Sequence, residues 1–328
     1  MDADHKSKGL DRMQKKSVSF IIPCYRSENT LGVVVDEIID TMKDSGEYTY
    51  EIVLVNDGSP DNTWGTISEI AKKHSDIVTG INFAKNFGQH AALMAGLNAS
   101  KGDYVVCLDD DGQTPAGEVF KLLNALRDGA DAVYARYAHK QHNSFRNFGT
   151  AMNEWMAEVM LGKPKELYVS SYFGVRRFVV NEMIKYDSSF PYVIGLVLRT
   201  TSNVVNVDVN HRKREVGQSG YNLGKLFMLW INGFTAFSIK PLRLATMVGF
   251  LLSVAGFLFG IYTIILKFVY PYASNYKGYY ALMSALVFIG GMILFMLGMV
   301  GEYVGRTYIA QNKNPQYVIR ETTRDDKE

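Results

Sequence analysis

Five short apolar runs, each rich in β-branched residues and each ending on polar ones, punctuate the first part of the chain. They are "SVSFIIP" (Ser17–Pro23), "EIVLVND" (Glu51–Asp57), "IVTGINF" (Ile77–Phe83), "DYVVCLD" (Asp103–Asp109) and "DAVYARY" (Asp131–Tyr137). Nearly continuous apolar character over so few residues predicts strands buried on both faces. Between them, residues 28–45, 61–74, 87–99 and 115–128 space their apolar positions as helices do. Asp61 suits a helix N-cap and Pro115 a first helical turn. Strand–helix alternation predicts an α/β domain over residues 17–220, a mainly parallel sheet covered on both faces. Residues 1–16, polar and without an apolar core, read as a flexible tail and not as a cleavable signal peptide.

The pattern changes toward the C-terminus. Leu244–Leu266 and Ala281–Gly301 contain no charged residue, and each is long enough as a helix to cross about 30 Å of hydrocarbon. Two transmembrane helices within residues 243–306 are expected. The tyrosine-rich link between them suits a membrane interface. Lys240, Arg243, Arg306, Lys313 and Arg320 flank the pair on the outside, against Lys267 and Lys277 between the spans. That bias puts the α/β half and both termini, including a tail at 307–328, on the cytoplasmic side of a multi-pass membrane protein. Residues 221–242 mix Lys225, Asn232 and Lys240 with Leu226, Phe227, Trp230 and Phe234, as an interfacial amphipathic helix does. Gly290 and Gly291 allow close helix packing, which suits a homo-oligomer, a tetramer being one option.

Composition narrows the function classes. The chain has 328 residues, 47% of them hydrophobic, and a formal net charge of +2. So balanced a charge argues against a nucleic-acid binder. The mean hydropathy of −0.04 averages two unlike halves. Cys24 and Cys107 each close an apolar run and suit buried thiols, with no CxxC or Cys/His cluster for zinc.

Polar residues gather where the strands end: Pro23, Tyr25 and Glu28; Asn56, Asp57 and Gly58; Lys85, Asn86 and Gln89; then Asp109, Asp110 and Asp111. In open α/β sheets this rim is where ligands bind. With the fourth strand ending near Leu108, Asp109, Asp111 and the Gln113 amide share one side of an extended exit and Asp110 turns away. Hard oxygen donors of that kind suit Mg²⁺ or Mn²⁺, with positions left for waters and substrate phosphates. The alternative is a solvated acidic turn that caps the following helix. Neither a GxGxxG after the first strand nor a P-loop is present.

In this order, "IIPCYRSE", "LVNDGSPDNT", "NFAKNFGQHAALMAGL", "LDDDGQTP", "REVGQSGY" and "GEYVGRTY" resemble the polyisoprenyl-phosphate glycosyltransferases of glycosyltransferase family 2. The likeness spans residues 17–318 and is strongest to the undecaprenyl-phosphate glucosyl- and aminoarabinosyl-type transferases, alongside dolichyl-phosphate mannosyltransferases. It implies a glycosyltransferase-A fold, and an inverting transfer of sugar from a nucleotide sugar to a polyprenyl phosphate at the cytoplasmic face. By the same resemblance Pro23, Tyr25, Glu28 and Asp57 match nucleoside-holding positions. Lys85, Asn86, Gln89, Asp109 and Asp110 complete the donor-facing set, and Asp109, Asp111 and Gln113 match the metal-binding set. Arg136, Arg146 and Thr150 match positions that receive the lipid phosphate, and Arg214 lies near the phosphates. Asp109, Asp111, Arg146 and Arg214 are then the catalytic group. A lone arginine is otherwise most often a surface ion pair.

The resemblance has departures. Ser171 stands where many bacterial relatives carry aspartate, Gly220 replaces a lysine, and Gly112 and Thr114 replace the commoner Leu and Asp. The expected partners are a nucleotide sugar, a polyprenyl phosphate, the lipid bilayer and further copies of the chain. A processive polymer synthase would carry QxxRW and more spans, and no such motif occurs. A non-catalytic membrane scaffold with a degenerate transferase domain is the reading from another class.

Overall fold

A computed structural model of the chain describes residues 15–137, 158, 163–189, 191–210, 212, 278–311 and 315–324, with helical positions 247–249, 251, 254, 258, 261, 262, 265 and 269. It divides into two compact units, residues 1–220 with 315–328, and residues 221–314.

The first unit is built on an eight-stranded sheet of order β7-β5-β6-β4-β1-β2-β3-β8. The strands are β1 (Ser17–Cys24), β2 (Thr49–Asn56), β3 (Val78–Phe83), β4 (Tyr104–Cys107), β5 (Ala132–Tyr137), β6 (Phe173–Arg176), β7 (Val204–Val209) and β8 (Ile319–Thr322). Pairs β1/β2, β1/β4, β2/β3 and β5/β7 are parallel, while β6 runs against both β4 and β5, and β8 against β3. The mainly parallel α/β sheet read from the sequence is therefore present, with one antiparallel strand, β6, inserted and another, β8, at the edge.

Alternation along β1 explains the layering. Val18, Phe20, Ile22 and Cys24 face a core formed with α1 (Leu31–Ser45), α2 (Thr63–Lys73) and α4 (Val119–Arg127). On the other face Val53, Val55, Ile81 and Phe83 meet Ala91, Ala92 and Ala95 of α3 (Gln89–Ala99). In α1 the buried Leu31, Val34, Val35, Ile38, Ile39 and Met42 repeat at helical spacing, each worth roughly 1.5–3 kcal/mol of burial. Gly46, left-handed at φ 56°, ends that helix. The α2 start falls one residue later than the sequence suggested. Asn62 is the N-cap, and Asp61 instead accepts from the Thr63 hydroxyl at 2.7 Å.

The largest difference from the sequence reading is at the C-terminus. Residues 307–328 read as a tail, yet Ile319–Thr322 forms the edge strand beside β3. Its side chains explain the docking. Tyr317 stacks on Phe83 with ring centroids 5.2 Å apart, and the Asn82 amide donates to Glu321 at 2.8 Å. Gly80 N–H donates to the Thr323 hydroxyl at 2.7 Å, and Ala84 N–H to the Val318 carbonyl at 2.9 Å. The strand covers an edge that would otherwise offer free N–H and C=O groups. Truncation after Asn314 is expected to lower the melting temperature by several degrees and to promote aggregation, read by thermal melting and light scattering. Unchanged melting would show that the strand is dispensable.

In the second unit Gly278–Gln311 is one 34-residue helix. Its window Phe288–Gly305, mean hydropathy 1.6, makes it the one helix among the described residues long and apolar enough to cross a membrane. Phe288, Ile289, Ile293, Leu294, Phe295 and Leu297 are all exposed, so its apolar surface extends around the helix. The described positions between 247 and 269 are also helical, with Met247, Leu251, Val254 and Leu258 exposed. The interfacial helix expected at 221–242 lies outside the described residues.

Candidate active site

The sheet reverses its order of growth between β1 and β4, and the crevice past their carboxyl ends is the topological switch point. The strand ends place a polar set there.

At the β1 exit, Tyr25 N–H donates to Asp110 Oδ2 at 3.2 Å, and the Ser27 hydroxyl donates to the same oxygen. Between them Arg26 adopts φ 60°, an uncommon conformation for a residue with a side chain. Its N–H donates to the Ser59 hydroxyl at 3.1 Å, and its guanidinium lies 5.5 Å from the centroid of the exposed Tyr25 ring. Glu28, also exposed, accepts from Asn62 N–H at 2.9 Å. Pro23 is half-buried on β1 itself.

The β2 exit is organised around Asp57, buried at 4% exposure. Its carboxylate accepts from Phe87 N–H at 2.7 Å and Gly88 N–H at 2.9 Å, and its carbonyl accepts from the Asn86 amide at 3.1 Å. Burial pushes its pKa up, and the two amide donors pull part of that back. Asp57 thus holds the β3 exit loop that carries Lys85, Asn86 and Gln89. Gly58 makes the approach possible. A Cβ there would sit 2.4 Å from the Lys85 carbonyl carbon, and its φ of 61° is left-handed. Lys85 is exposed, its Nζ 5.1 Å from the Phe87 ring centroid.

β4 stops at Cys107, and Asp110 and Asp111 lie on a turn where the sequence reading expected an extended exit. Gly112 at φ 69° completes that turn. Asp109 accepts from the Gln89 amide at 3.2 Å and from the Ser171 hydroxyl. Asp110 faces the β1 exit, and Asp111 accepts from Gln113 N–H at 3.1 Å. Burial raises the Asp109 carboxyl to about 6, with the Ser171 bond offsetting part of it and Asp111 and Asp110 adding repulsion. Burial also raises Asp110, against the Ser27 and Tyr25 hydrogen bonds.

Among the described residues no group of three His, Cys, Asp or Glu could hold a metal ion. The set assigned from sequence consists of two carboxylates and an amide oxygen. Crowded negative charge with a raised carboxyl pKa fits a divalent cation completed by water or substrate oxygens.

Arg136, assigned to the lipid phosphate, makes a bidentate exposed ion pair with Asp208 at 2.6 and 3.1 Å. Arg146, Thr150 and Arg214 lie outside the described residues. Ser171 entered the sequence reading only as a departure, and its contact with Asp109 is the signal that makes it a site residue. Ser27 was missed because a serine in a loop carries no spacing signature.

His90, beside Gln89, packs edge-on against Tyr192 with ring centroids 5.0 Å apart. Its Nδ1 is buried without a hydrogen-bond partner among the described residues, and burial lowers its pKa to about 4. The unfolded imidazole takes a proton below about 6.5 and the folded one only near 4, so its contribution to stability is complete above 6.5 and lost as pH falls. Relative to the His90→Gln variant, the protein is expected to lose about 3 kcal/mol between pH 7 and pH 4. Unfolding in detergent at several pH values checks this, and equal pH slopes would contradict it.

A profile described as glycosyl transferase family 2 matches residues 19–184, and one described as GtrB C-terminal hairpin matches residues 240–307. The chain is similar to undecaprenyl-phosphate 4-deoxy-4-formamido-L-arabinose transferases. That of Photorhabdus laumondii is 30% identical over 315 residues, 96% of either chain. That of Proteus mirabilis is 32% identical over 304 residues, 92% of this chain and 93% of the other. Among solved structures, glucosyl-3-phosphoglycerate synthase from Mycobacterium tuberculosis, in complex with Mn²⁺, UDP-glucose and phosphoglyceric acid, covers 66% of this chain and 76% of its own. That likeness has a TM-score of 0.49 at 18% identity.

Proposed function

This chain belongs to glycosyltransferase family 2, and from that premise we propose that it moves a sugar from a nucleotide sugar, a UDP-sugar, to undecaprenyl phosphate at the cytoplasmic face of the plasma membrane. The observation that carries the proposal is similarity to undecaprenyl-phosphate sugar transferases along almost the whole chain, catalytic unit and hairpin together.

Pro23, Tyr25, Glu28 and Asp57 receive the nucleoside, Asp57 acting in part by fixing the loop that presents Lys85 and Asn86. Asp109, Asp111 and Gln113 hold Mg²⁺ or Mn²⁺, which when bound neutralises charge on the departing nucleotide diphosphate. Asp110 stays tied to the β1 exit and orients the turn. Arg136, Arg146 and Thr150 receive the lipid phosphate, and Arg214 lies near the phosphates. For Arg136 this requires exchange of its Asp208 partner. A polyprenyl phosphate is ionised at neutral pH, so no side chain need remove a proton from the nucleophile. Positioning and electrostatic stabilisation then do the chemistry, and direct displacement inverts the anomeric centre.

The lipid chain stays in the bilayer, which is why a transferase domain carries a membrane hairpin. Two spans, with an interfacial helix at 221–242, anchor the chain in the bilayer, and both termini lie in the cytoplasm. The exposed apolar surface of Gly278–Gln311 supports a lipid environment for one of them.

Incubation of the purified protein with undecaprenyl phosphate and a panel of UDP- and GDP-sugars tests the proposal. A lipid-linked sugar from a UDP donor is expected. Product from GDP-mannose alone would replace the donor assignment, and no product with any donor would sink the proposal.

A further inference from the structure

The turn that carries Asp109–Gln113 is irregular, yet its carboxyl half is held through backbone groups by side chains and backbone from other elements. Arg212 N–H donates to the Gln113 carbonyl at 2.8 Å. The Arg212 guanidinium grips Glu37 of α1 in a bidentate pair at 2.9 and 3.0 Å. Glu37 Oε1 also accepts from Ala116 N–H at 3.0 Å. Both ends of the Gln113–Ala116 segment are thereby fixed to one ion pair. The chain leading to Arg212 is tied to the residues that follow that segment: Lys121 Nζ donates to the Asp208 carbonyl at 3.1 Å, and the Asn210 amide to Glu118 at 2.7 Å.

Exposed ion pairs usually add little stability, and Arg212 is 52% exposed against 28% for Glu37. Geometry is a different matter. A planar bidentate pair that also orders two backbone groups constrains where Gln113 sits relative to Asp109 and Asp111. Groups behind first-contact ligands tune metal affinity in just this way.

We propose that Arg212 and Glu37 are positioning residues for the metal-binding turn, acting as one unit through the Gln113 carbonyl and the Ala116 amide. The inference rests on the metal assignment made above. Neither residue contacts substrate. Their effect falls on metal affinity, not on the chemical step at saturating metal.

The test uses the full chain in detergent with UDP present. Mn²⁺ binding is followed by electron paramagnetic resonance, turnover at saturating Mn²⁺ is measured, and melting of the metal-free protein is recorded. Arg212→Ala is expected to raise the half-saturating Mn²⁺ concentration by about tenfold, with turnover at saturation within about threefold of the unmodified chain. Arg212→Lys, which keeps the charge but not the fork, and Glu37→Gln, which keeps an acceptor for Ala116, should give smaller shifts. Because the two act through each other, the double variant Arg212→Ala with Glu37→Gln should bind no more weakly than Arg212→Ala alone. Lowered melting with unmoved Mn²⁺ binding in all variants, or additive shifts, would overturn the inference. An unmodified chain that binds no Mn²⁺ would overturn the metal assignment itself, and this inference with it.

Discussion

Replacing Asp111 with alanine is expected to abolish sugar transfer, lowering turnover by about 10³-fold or more, while the protein still inserts in membranes. The expectation follows from where charge develops. In the proposed reaction the nucleotide diphosphate would leave with extra negative charge beside Asp109 and Asp110, whose carboxyl pKa values are raised. Without a cation at Asp111, that repulsion would add directly to the barrier. Alanine also removes the Asp111 acceptor for Gln113 N–H, so a loss of activity could reflect the turn alone. Asp111→Asn separates the two roles, because its amide oxygen can still accept from Gln113 but carries no charge. Its melting should match the unmodified chain and its turnover should stay near the alanine level. An active Asp111→Asn would remove Asp111 from the metal site.

The second large effect concerns the β3 exit loop. Asp57→Ala should destabilise the catalytic unit by about 3 kcal/mol and raise the donor KM by at least about tenfold. Its carboxylate accepts from both Phe87 N–H and Gly88 N–H at a buried position, and removal strands two donors at roughly 1–3 kcal/mol each. The same loop presents Lys85 and Asn86 and, through Gln89, steadies Asp109 at 3.2 Å. Loss of donor affinity should therefore exceed what an isolated nucleoside contact would give. Thermal melting and steady-state kinetics check both halves. An unchanged melting temperature would mean that the loop finds its geometry without Asp57.

Much of this was legible because the sheet's central strands carry their own signal. β1 to β5 are apolar runs bounded by polar ends, and their order with intervening helices fixed the rim on which Asp57, Gln89 and Asp109 meet. β6 was hidden. Phe173–Arg176 has four residues and an antiparallel role that no local pattern announces. β7 carries Val205, Val207 and Val209 alternating with Asn206 and Asp208, a period-2 pattern that was available but not used. β8 reads "IRET", too short and polar to call, and its place depends on pairing with a strand more than 200 residues earlier. Within the candidate site, Asp57, Gln89 and Asp109 to Asp111 stood out by their place at strand ends and took their roles from the resemblance, whereas Ser27, Ser171 and the Arg212–Glu37 pair are joined by contacts between distant segments. The extended exit expected for Asp109 to Asp111 gives way to a turn that begins at Asp110 and is bent by Gly112, while Asp110 faces away from Asp109 toward the β1 exit.

Metal-assisted transfer to a lipid phosphate is tested most directly by one titration. The purified chain, stripped with a chelator and given undecaprenyl phosphate and its UDP-sugar, should form no lipid-linked product above background. Added Mn²⁺ or Mg²⁺ should restore product in a saturable way. Undiminished transfer in the metal-free protein would contradict the role assigned to Asp109, Asp111 and Gln113.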